Sequence, residues 1–335
     1  MAQETRWVDQ DSFAIGRWDG TLTLFRLPDA PRGAPVIESA AITPAWVGVQ
    51  MITPLDANVF ATSNDSSSII IWEMDRISSA PGSELPNAGA TLLTRRAVLH
   101  YDQAFGVATN GAEMRLDGRQ YFASGHESGH LLIWRAVDGV EAYALERVVD
   151  IRSPTPVPSP YPLRHVRGVV DWHNGVVVTA AEDGDLCLVN VRSGVVLARV
   201  RYNTAAQRGV NDVALLGNLL LVANCSVGDD DQNLWLFRLA PPDRILPVTS
   251  INLRRDASRK QVFNFSVELA SRPNGVVFFA ATEEGLLWMG DIQSDRFHVI
   301  GHEAVSTRYG ATVTLDRTAN MLAVVGDNVH LFQLP

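Results

Sequence analysis

Few side chains in this sequence combine the type and the spacing that catalysis or metal binding requires. His126 and His130 are four residues apart, a spacing that on a helix would direct two imidazoles at one metal ion. They flank a predicted hairpin turn instead, so we interpret them as turn residues. Cys187 and Cys225 form no Cys-x-x-Cys pattern, which argues against a zinc site or a disulfide framework. We expect both to be buried as small hydrophobic residues, and we predict no metal and no cofactor.

The densest positive charge is in the segment LRRDASRKQ, whose basic residues are Arg254, Arg255, Arg259 and Lys260. One interpretation is an ordinary solvated loop. The other is a site for an acidic segment of a partner protein or for a phosphate, because the rest of the protein is acidic. The sequence leaves both interpretations open.

A proline-rich segment, RSPTPVPSPYPLRH, covers residues 152–165 and has proline at alternate positions from Pro154 to Pro162. Proline lacks an amide hydrogen, so this segment cannot be a central strand. We predict an extended, polyproline-like loop. It serves either as a stiff connector or as a docking loop.

The composition indicates a soluble protein. The formal net charge is −9 and the pI is about 5.4, which argues against a general attraction to nucleic acid or to anionic membranes. No apolar run approaches the roughly 18 residues that a membrane helix needs, and the N-terminus, MAQETRWVDQD, has no apolar signal core. We therefore expect a cytoplasmic location. Lys260 is the only lysine, which favours the codon usage of a GC-rich bacterial genome over selection of arginine for bidentate contacts.

The elements that must position these residues are seven similar hairpins. Each has an apolar run, a polar turn and a second apolar run, and several turns contain the Asp-Gly, Ser-Gly or Glu-Gly pairs that tolerate a positive φ. The hairpins are FAIGRWDGTLTLFRL, FATSNDSSSIIIWEM, FASGHESGHLLIWRA, VVTAAEDGDLCLVNV, LVANCSVGDDDQNLWLFRL, FFAATEEGLLWMGDI and LAVVGDNVHLFQL.

The apolar runs are continuous rather than alternating, which predicts strands that are buried on both faces. Successive turns are 46, 63, 55, 48, 53 and 43 residues apart, a repeat the size of one propeller blade. We therefore predict an all-β fold, a single β-propeller over residues 1–335 with about seven four-stranded blades. The predicted blades cover residues 4–40, 46–99, 112–150, 166–201, 209–253, 262–300 and 310–335.

These hairpins resemble the WD-repeat family in a degenerate form. The family places an Asp in the hairpin turn and a Trp six residues later, and Ser128 with Trp134 keeps that spacing, while Asp65 with Trp72 is one residue longer. Gly301-His302 is similar to the Gly-His dipeptide that the family places ahead of an inner strand. Because no blade has the full Gly-His, Asp and Trp set, we expect the buried hydrogen-bond tetrad of the family to be largely absent.

The resemblance also implies where the loops lie. Naming the strands a to d from the axis outwards, the family's b–c turns and d–a loops lie on one face, the top, and the a–b turns and c–d loops on the other, which here receives residues 78–90. Aromatic residues and arginines anchor interfaces more often than other types. The predicted partner-binding residues of the top face are Arg17, Trp18, Trp46, Tyr101, Phe105, Tyr161, Arg164, Arg208, Arg254, Arg255, Arg259, Lys260, Arg308 and Tyr309. His126 and an acidic turn, residues 229–231, are expected on the same face.

The function that the resemblance implies is a non-catalytic scaffold, docking or sensor subunit of a multi-protein assembly. One alternative is a hydrolase or lactonase of the propeller type, for which Asp171, Asp212, Glu268 and Asp316 lie on or beside predicted inner strands. They are not in matched positions, so we predict no catalytic residues. The other alternative is a nucleic-acid-binding propeller that uses the arginine-rich loop.

Ring closure is a separate question. The segment Glu4 to Val8 is predicted as the inner strand of blade one, and Pro335 follows directly on the third strand of the last blade. That blade should therefore lack an outer strand of its own. Since an open edge promotes aggregation, either the N-terminus closes it or a strand of a partner adds there.

Overall fold

The computed structural model describes residues 2–27, 36–43, 47–76, 91–137, 142–155, 164–202, 209–225, 232–259, 262–307, 310–317 and 320–334. Over these residues the chain forms twenty-seven strands and a single turn of 3-10 helix at Gln103–Phe105. No helix in this part of the chain is long and apolar enough to cross a bilayer. The predicted all-β class is confirmed.

The strands form seven antiparallel sheets, and within each sheet consecutive strands are neighbours. Blade 1 contains β1 (Ala2–Asp9), β2 (Ser12–Arg17), β3 (Thr21–Arg26) and β4 (Val36–Ala41). Blade 2 contains β5 (Ile52–Asp56), β6 (Val59–Asp65), β7 (Ser68–Arg76) and β8 (Thr91–His100). Blade 3 contains β9 (Ala108–Leu116), β10 (Arg119–His126), β11 (His130–Ala136) and β12 (Tyr143–Asp150). Blade 4 contains β13 (Val166–His173), β14 (Val176–Ala181), β15 (Asp185–Asn190) and β16 (Val195–Arg201). Blade 5 contains β17 (Val210–Leu216), β18 (Leu219–Asn224), β19 (Leu234–Ala240) and β20 (Arg244–Ile251). Blade 6 contains β21 (Asn264–Arg272), β22 (Gly275–Thr282), β23 (Leu286–Gln293) and β24 (Arg296–Ala304). Blade 7 has three strands, β25 (Thr312–Asp316), β26 (Met321–Val325) and β27 (Val329–Gln333).

The first strands of the blades form the wall of a central channel. Each of β1, β5, β9, β13, β17, β21 and β25 contacts the next, and β25 contacts β1, so the ring is closed. The predicted inner strand Glu4 to Val8 lies in β1, where Trp7 pairs with Phe13 of β2. The N-terminus therefore does not supply the outer strand of blade 7, and that alternative is wrong.

The core lies between the blades rather than inside one sheet. Seven apolar clusters occupy the seven interfaces between neighbouring blades. In blade 3, Phe122 and Trp134 face blade 2, whereas Ala123 and Leu131 face blade 4. Both faces of strands b and c are thus buried, which is why their sequences are continuously apolar.

The tight turns between strands b and c have the backbone that the sequence predicts. Gly184 has φ 88° and Gly285 has φ 72°, a region that residues with a Cβ atom avoid. At Gly285 a Cβ atom would also collide with the carbonyl oxygen of Ser306. The turn therefore requires glycine both for its backbone and for the close approach of the loop that enters blade 7.

The outer strands of blades 2 to 6 share a β-bulge at the same place. In blade 3, Ile133 pairs with Arg147 and Trp134 pairs with Leu145, so Glu146 is the extra residue. The equivalent extra residues in blades 2, 4, 5 and 6 are Arg96, Leu197, Val248 and Ile300. A bulge increases the local twist of the strand, so each outer strand bends in the same way.

The two cysteines are buried and not linked, as predicted. Cys187 lies in β15 and Cys225 directly follows β18, in adjacent blades. Burial raises the pKa of the Cys187 thiol to about 12, so it is a poor nucleophile and a poor metal ligand at neutral pH.

Candidate interaction surface

The b–c turns and the d–a loops meet on one face of the ring, which we call the top face. The carboxylate of Asp183, in the b–c turn of blade 4, accepts a hydrogen bond from the backbone N–H of Ser153 in the loop that enters the same blade (2.8 Å). In blade 7 the carboxylate of Asp327 accepts from the N–H of Thr307 (2.6 Å). The predicted grouping of these turns and loops is therefore confirmed.

The same contact recurs in two more blades. The Glu127 carboxylate accepts from the N–H of Val107 (3.0 Å) in blade 3, and the Glu284 carboxylate accepts from the N–H of Arg255 (3.1 Å) in blade 6. Hydrogen bonds to a charged group contribute about 1.5–3 kcal/mol each. An acidic residue in the turn thus holds the loop that enters its own blade, a role that we did not assign to these turn residues from sequence.

A buried asparagine holds the arginine-rich loop from the other side. Asn233, fully buried at the b–c turn of blade 5, donates from Nδ2 to the carbonyl oxygens of Leu253 (2.8 Å) and Val262 (3.2 Å). Its Oδ1 accepts from the N–H of Leu253 (2.7 Å). Both ends of the loop are therefore fixed by one side chain.

One arginine of this loop is neutralised by neighbouring acidic residues. Arg259 forms ion pairs with Glu284 (3.3 Å) and Glu283 (3.5 Å), and Arg254 donates to the carbonyl oxygen of Arg259 (3.1 Å). The expected concentration of positive charge is thus reduced by two adjacent glutamates. Arg255 is exposed, and no acidic side chain is seen to pair with its guanidinium in the described residues.

The predicted aromatic anchors differ in exposure. Trp18 is 53% exposed at the tip of the first b–c turn, beside the half-buried Arg17. Tyr101 is buried, because its ring packs edge-on against His126 at 4.6 Å and its hydroxyl donates to the carbonyl oxygen of Asp65 (3.1 Å). Tyr101 is therefore a packing residue, and its prediction as an exposed anchor is wrong.

Two further predicted residues are half-buried. Phe105 packs on the rings of His126 and His130, with centroids 6.4 and 5.1 Å away, and Arg164 lies beside the turn of blade 3 at Gly129. The remaining predicted residues lie outside the described part of the chain, as does the acidic turn at 229–231: Trp46, Tyr161, Arg208, Lys260, Arg308 and Tyr309.

His126 is fully buried rather than exposed on the top face. The Trp134 indole donates to Ser124 Oγ (2.9 Å), Ser124 Oγ lies 2.9 Å from His126 Nε2, and His126 Nδ1 lies 3.2 Å from the carbonyl oxygen of Gly106. Since a carbonyl only accepts, Nδ1 carries the proton and Nε2 accepts from the serine. Burial lowers the pKa of His126 to about 4, so the ring stays neutral.

A second blade has a similar bond between a tryptophan and a hydroxyl group. In blade 2 the Trp72 indole donates to Thr62 Oγ1 (2.9 Å). In blade 3 the histidine of the bonded chain lies at the end of strand b, β10. The Gly301-His302 dipeptide lies within β24, and the His302 ring stacks on Trp288 at 4.6 Å.

A polar network surrounds the top of the channel. Arg167 of β13 binds Glu182 (3.1 Å), Gln50 (3.3 Å) and His165 Nδ1 (3.0 Å), and Gln50 donates to Glu127 (3.3 Å). Burial, followed by the adjacent guanidinium of Arg167, lowers the pKa of His165 to about 4. The network links blades 2, 3 and 4 and leaves its groups engaged with one another.

The axial carboxylates lie on inner strands, as predicted. Asp212 accepts from Arg6 (3.1 Å), Ser266 Oγ (3.0 Å) and the N–H of Val267 (3.0 Å), so its oxygens are occupied by structural contacts. Burial raises the pKa of Glu268 to about 7, and its carboxylate accepts from the N–H of Leu315 (3.2 Å).

A cavity of about 340 Å³ lies at the axis, lined by residues of all seven inner strands. Arg6, Asp171, Glu268 and Arg317 are its charged lining groups. Within the described residues no three His, Cys, Asp or Glu side chains are grouped to hold a metal ion. Among the residues that line this cavity we find no nucleophile paired with a base, and Asp316 is a buried residue at the end of β25.

Comparisons with known proteins give the fold. No family model and no curated protein match this sequence. The structure is similar to the β-propeller domain of Cps50 (Swd1) from Myceliophteria thermophila, with a TM-score of 0.66 and 11% identity, covering 100% of this chain and 97% of that one. A chain of the mitotic checkpoint complex gives a TM-score of 0.66 and 13% identity over 100% of this chain and 90% of that chain.

A third similar structure is the WD40 β-propeller domain of Doa1, with a TM-score of 0.61 and 14% identity, over 100% of this chain and 93% of that one. At these identities the similarity concerns architecture. The chain thus has the fold of the WD40 β-propeller domains, with seven blades of which the last has three strands.

Proposed function

We propose that this chain is a non-catalytic protein-interaction scaffold, a docking or sensor subunit of a multi-protein assembly in the bacterial cytoplasm, and that its top face binds the partner. The observation that carries the proposal is the clamped top face. Carboxylates of the turns satisfy the backbone of the entering loops, while the side chains of Trp18 and Arg255 remain exposed. A rigid surface with exposed aromatic and arginine side chains loses little entropy on binding.

The similar structures are consistent with this role. One of them is a chain of a multi-protein assembly, the mitotic checkpoint complex. Fold similarity alone does not establish function, so the proposal depends on the top face itself.

The two alternatives find less support in the described residues. An enzyme of the propeller type needs axial groups available for substrate, and Asp212 is engaged by an arginine, a serine and a backbone amide. A nucleic-acid-binding surface needs uncompensated positive charge, and the Arg259 guanidinium is compensated by Glu283 and Glu284. Salt-dependent binding of DNA or RNA would favour that alternative.

The direct test uses the partner recovered from cells of the source organism and measures its affinity for purified variants. We expect Trp18→Ala to weaken binding by about 2 kcal/mol, roughly 30-fold, because the indole would be an anchor. The matched control is Ile300→Ala, which removes a side chain that is 72% exposed on the outer strand β24. Equal affinity of both variants and the wild type would contradict the proposal.

A charge reversal tests the contribution of the arginine loop. We expect Arg255→Glu to lower the association rate several-fold for an acidic partner segment, with a smaller effect at high salt, because an exposed charge acts mainly on the rate of encounter. The control is Arg244→Glu, an exposed arginine at the start of β20. An association rate that responds equally to both changes would place the charged contact elsewhere.

A further inference from the structure

Blade 7 ends in an edge that no described strand covers. Its three strands are paired in the order β25, β26, β27, and in the described part of the chain no strand pairs with the outer side of β27. The N-terminal strand is engaged as the inner strand of blade 1. One row of backbone N–H and C=O groups of β27 therefore faces outwards, a template for pairing with another strand.

The side chains of β27 are apolar and incompletely covered. Leu331 is 43% exposed. Phe332 is half-buried against the cluster between blades 6 and 7, and Val329 is half-buried against the cluster between blades 7 and 1. A fourth strand would thus cover apolar surface on both sides of the blade, towards blade 6 and towards blade 1.

Three of the other blades show one form that a fourth strand takes in this chain. In blades 2, 3 and 5 the outer strand has one apolar residue that packs towards the preceding blade and a second that packs towards the following blade. These pairs are Leu93 and Leu99, Tyr143 and Val149, and Ile245 and Ile251. Within each pair the residues are six positions apart, and the bulge lies between them.

We propose that β27 binds an extended segment of a partner protein, which adds antiparallel to it as the fourth strand of blade 7. The segment has two apolar residues six positions apart, the first directed at the face of blade 6 and the second at the face of blade 1. Backbone hydrogen bonds supply affinity and the two apolar side chains supply specificity, as in other cases of strand addition. This surface is separate from the top face, so its test is independent of the function proposed above.

A second copy of the chain is a poorer occupant. The strand that it would present at a two-fold axis is β27, which has five residues. The outer strands of blades 2 to 6 have seven to ten residues. A five-residue strand cannot place two side chains six positions apart.

The experiment selects peptides from a displayed library of random ten-residue sequences on the immobilised chain. We expect the enriched peptides to contain two apolar residues six positions apart. Leu331→Asp should weaken their binding at least tenfold, and Leu246→Asp, which alters a leucine that is 39% exposed on β20, should leave it unchanged. Each variant is first checked for a wild-type circular dichroism spectrum.

Hydrogen exchange on the wild-type chain keeps the test independent of the variants. We expect a bound peptide to slow exchange of the β27 amides and of few others. The proposal is overturned if no such pattern is enriched, if the peptides bind Leu331→Asp as tightly as wild type, or if β27 is protected in the unliganded chain. A dimer in which β27 is protected would assign the edge to a second copy and would also overturn it.

Discussion

The top face and the edge of blade 7 are two different kinds of surface on one propeller. On the top face, backbone amides of the entering loops donate to turn carboxylates, as Ser153 does to Asp183 and Thr307 to Asp327. On the edge, no described strand pairs with the outer side of β27. A partner of the top face must therefore recognise side chains, whereas a partner of the edge can bind backbone.

The largest expected effect is on the free energy of unfolding, and it should differ between a complete blade and the incomplete blade 7. Trp134 is fully buried in blade 3 and donates to Ser124, so we expect Trp134→Ala to lower the free energy of unfolding by about 3–5 kcal/mol. Phe332 occupies the equivalent position in blade 7 and is half-buried. Phe332→Ala should lower the free energy of unfolding by clearly less. Chemical denaturation of both variants will measure the two losses. Equal losses would mean that the edge is as well packed as the closed blades.

The second prediction concerns pH. The folded-state pKa of His126 is about 4, below its ordinary value of 6.5. Between these two pKa values the unfolded chain binds a proton that the folded chain excludes. The contribution of the neutral His126 ring to the free energy of unfolding is therefore complete above pH 6.5 and is lost as the pH falls. The loss amounts to about 2 kcal/mol by pH 5.

The measurement compares His126→Gln with the wild type, so that other titrating groups cancel. We expect the difference in unfolding free energy between the two proteins to narrow from pH 7 to pH 5. A difference that stays constant over this range would show that the imidazole is not held in its neutral form.

The next largest expected effect concerns Asn233, which holds both ends of the arginine-rich loop. Asn233→Ala removes three hydrogen bonds and leaves buried backbone groups unpaired, so we expect a loss of about 2 kcal/mol in unfolding free energy. Faster proteolysis at Arg254 or Arg259 should accompany it. Asn218→Ala, at an exposed turn of the opposite face, removes one hydrogen bond, from the Trp172 indole, and serves as the control for proteolysis of the loop. Unchanged proteolysis would show that the loop is ordered by other contacts.

The smallest expected effect on stability is at the tip of the top face. Trp18 is 53% exposed, so we expect Trp18→Ala to change the unfolding free energy by less than about 0.5 kcal/mol. Thermal denaturation will measure it. A large loss would mean that the indole is a structural residue, and it would remove the main candidate anchor from the proposed interface.

The sequence predicted the repeated architecture well because hairpins are local. Continuous apolar runs and Asp-Gly or Glu-Gly turns are encoded within a few residues, and Gly184 and Gly285 have the positive φ that their turns require. The inner position of the first strand was also predictable, because the segment Glu4 to Val8 directly precedes the polar residues Asp9, Gln10 and Asp11 that lead into the first hairpin.

The site was less predictable because burial of loop residues depends on contacts between distant segments. Tyr101 is buried by Asp65 and His126, which precede and follow it by 36 and 25 positions in the sequence. Charge compensation of Arg259 by Glu283 and Glu284 also joins two separate segments. The recurring acid in the b–c turn was a visible signal, but we read it as a turn former and not as the clamp of a loop.

Hydrogen exchange of the unliganded chain, followed by mass spectrometry, tests the contrast between the two surfaces most directly. We expect slow exchange at the clamped amides of Val107, Ser153, Arg255 and Thr307, which donate to turn carboxylates. We expect fast exchange at the outward-facing amides of β27. Fast exchange throughout the top-face loops, together with protection of all the β27 amides, would contradict this contrast.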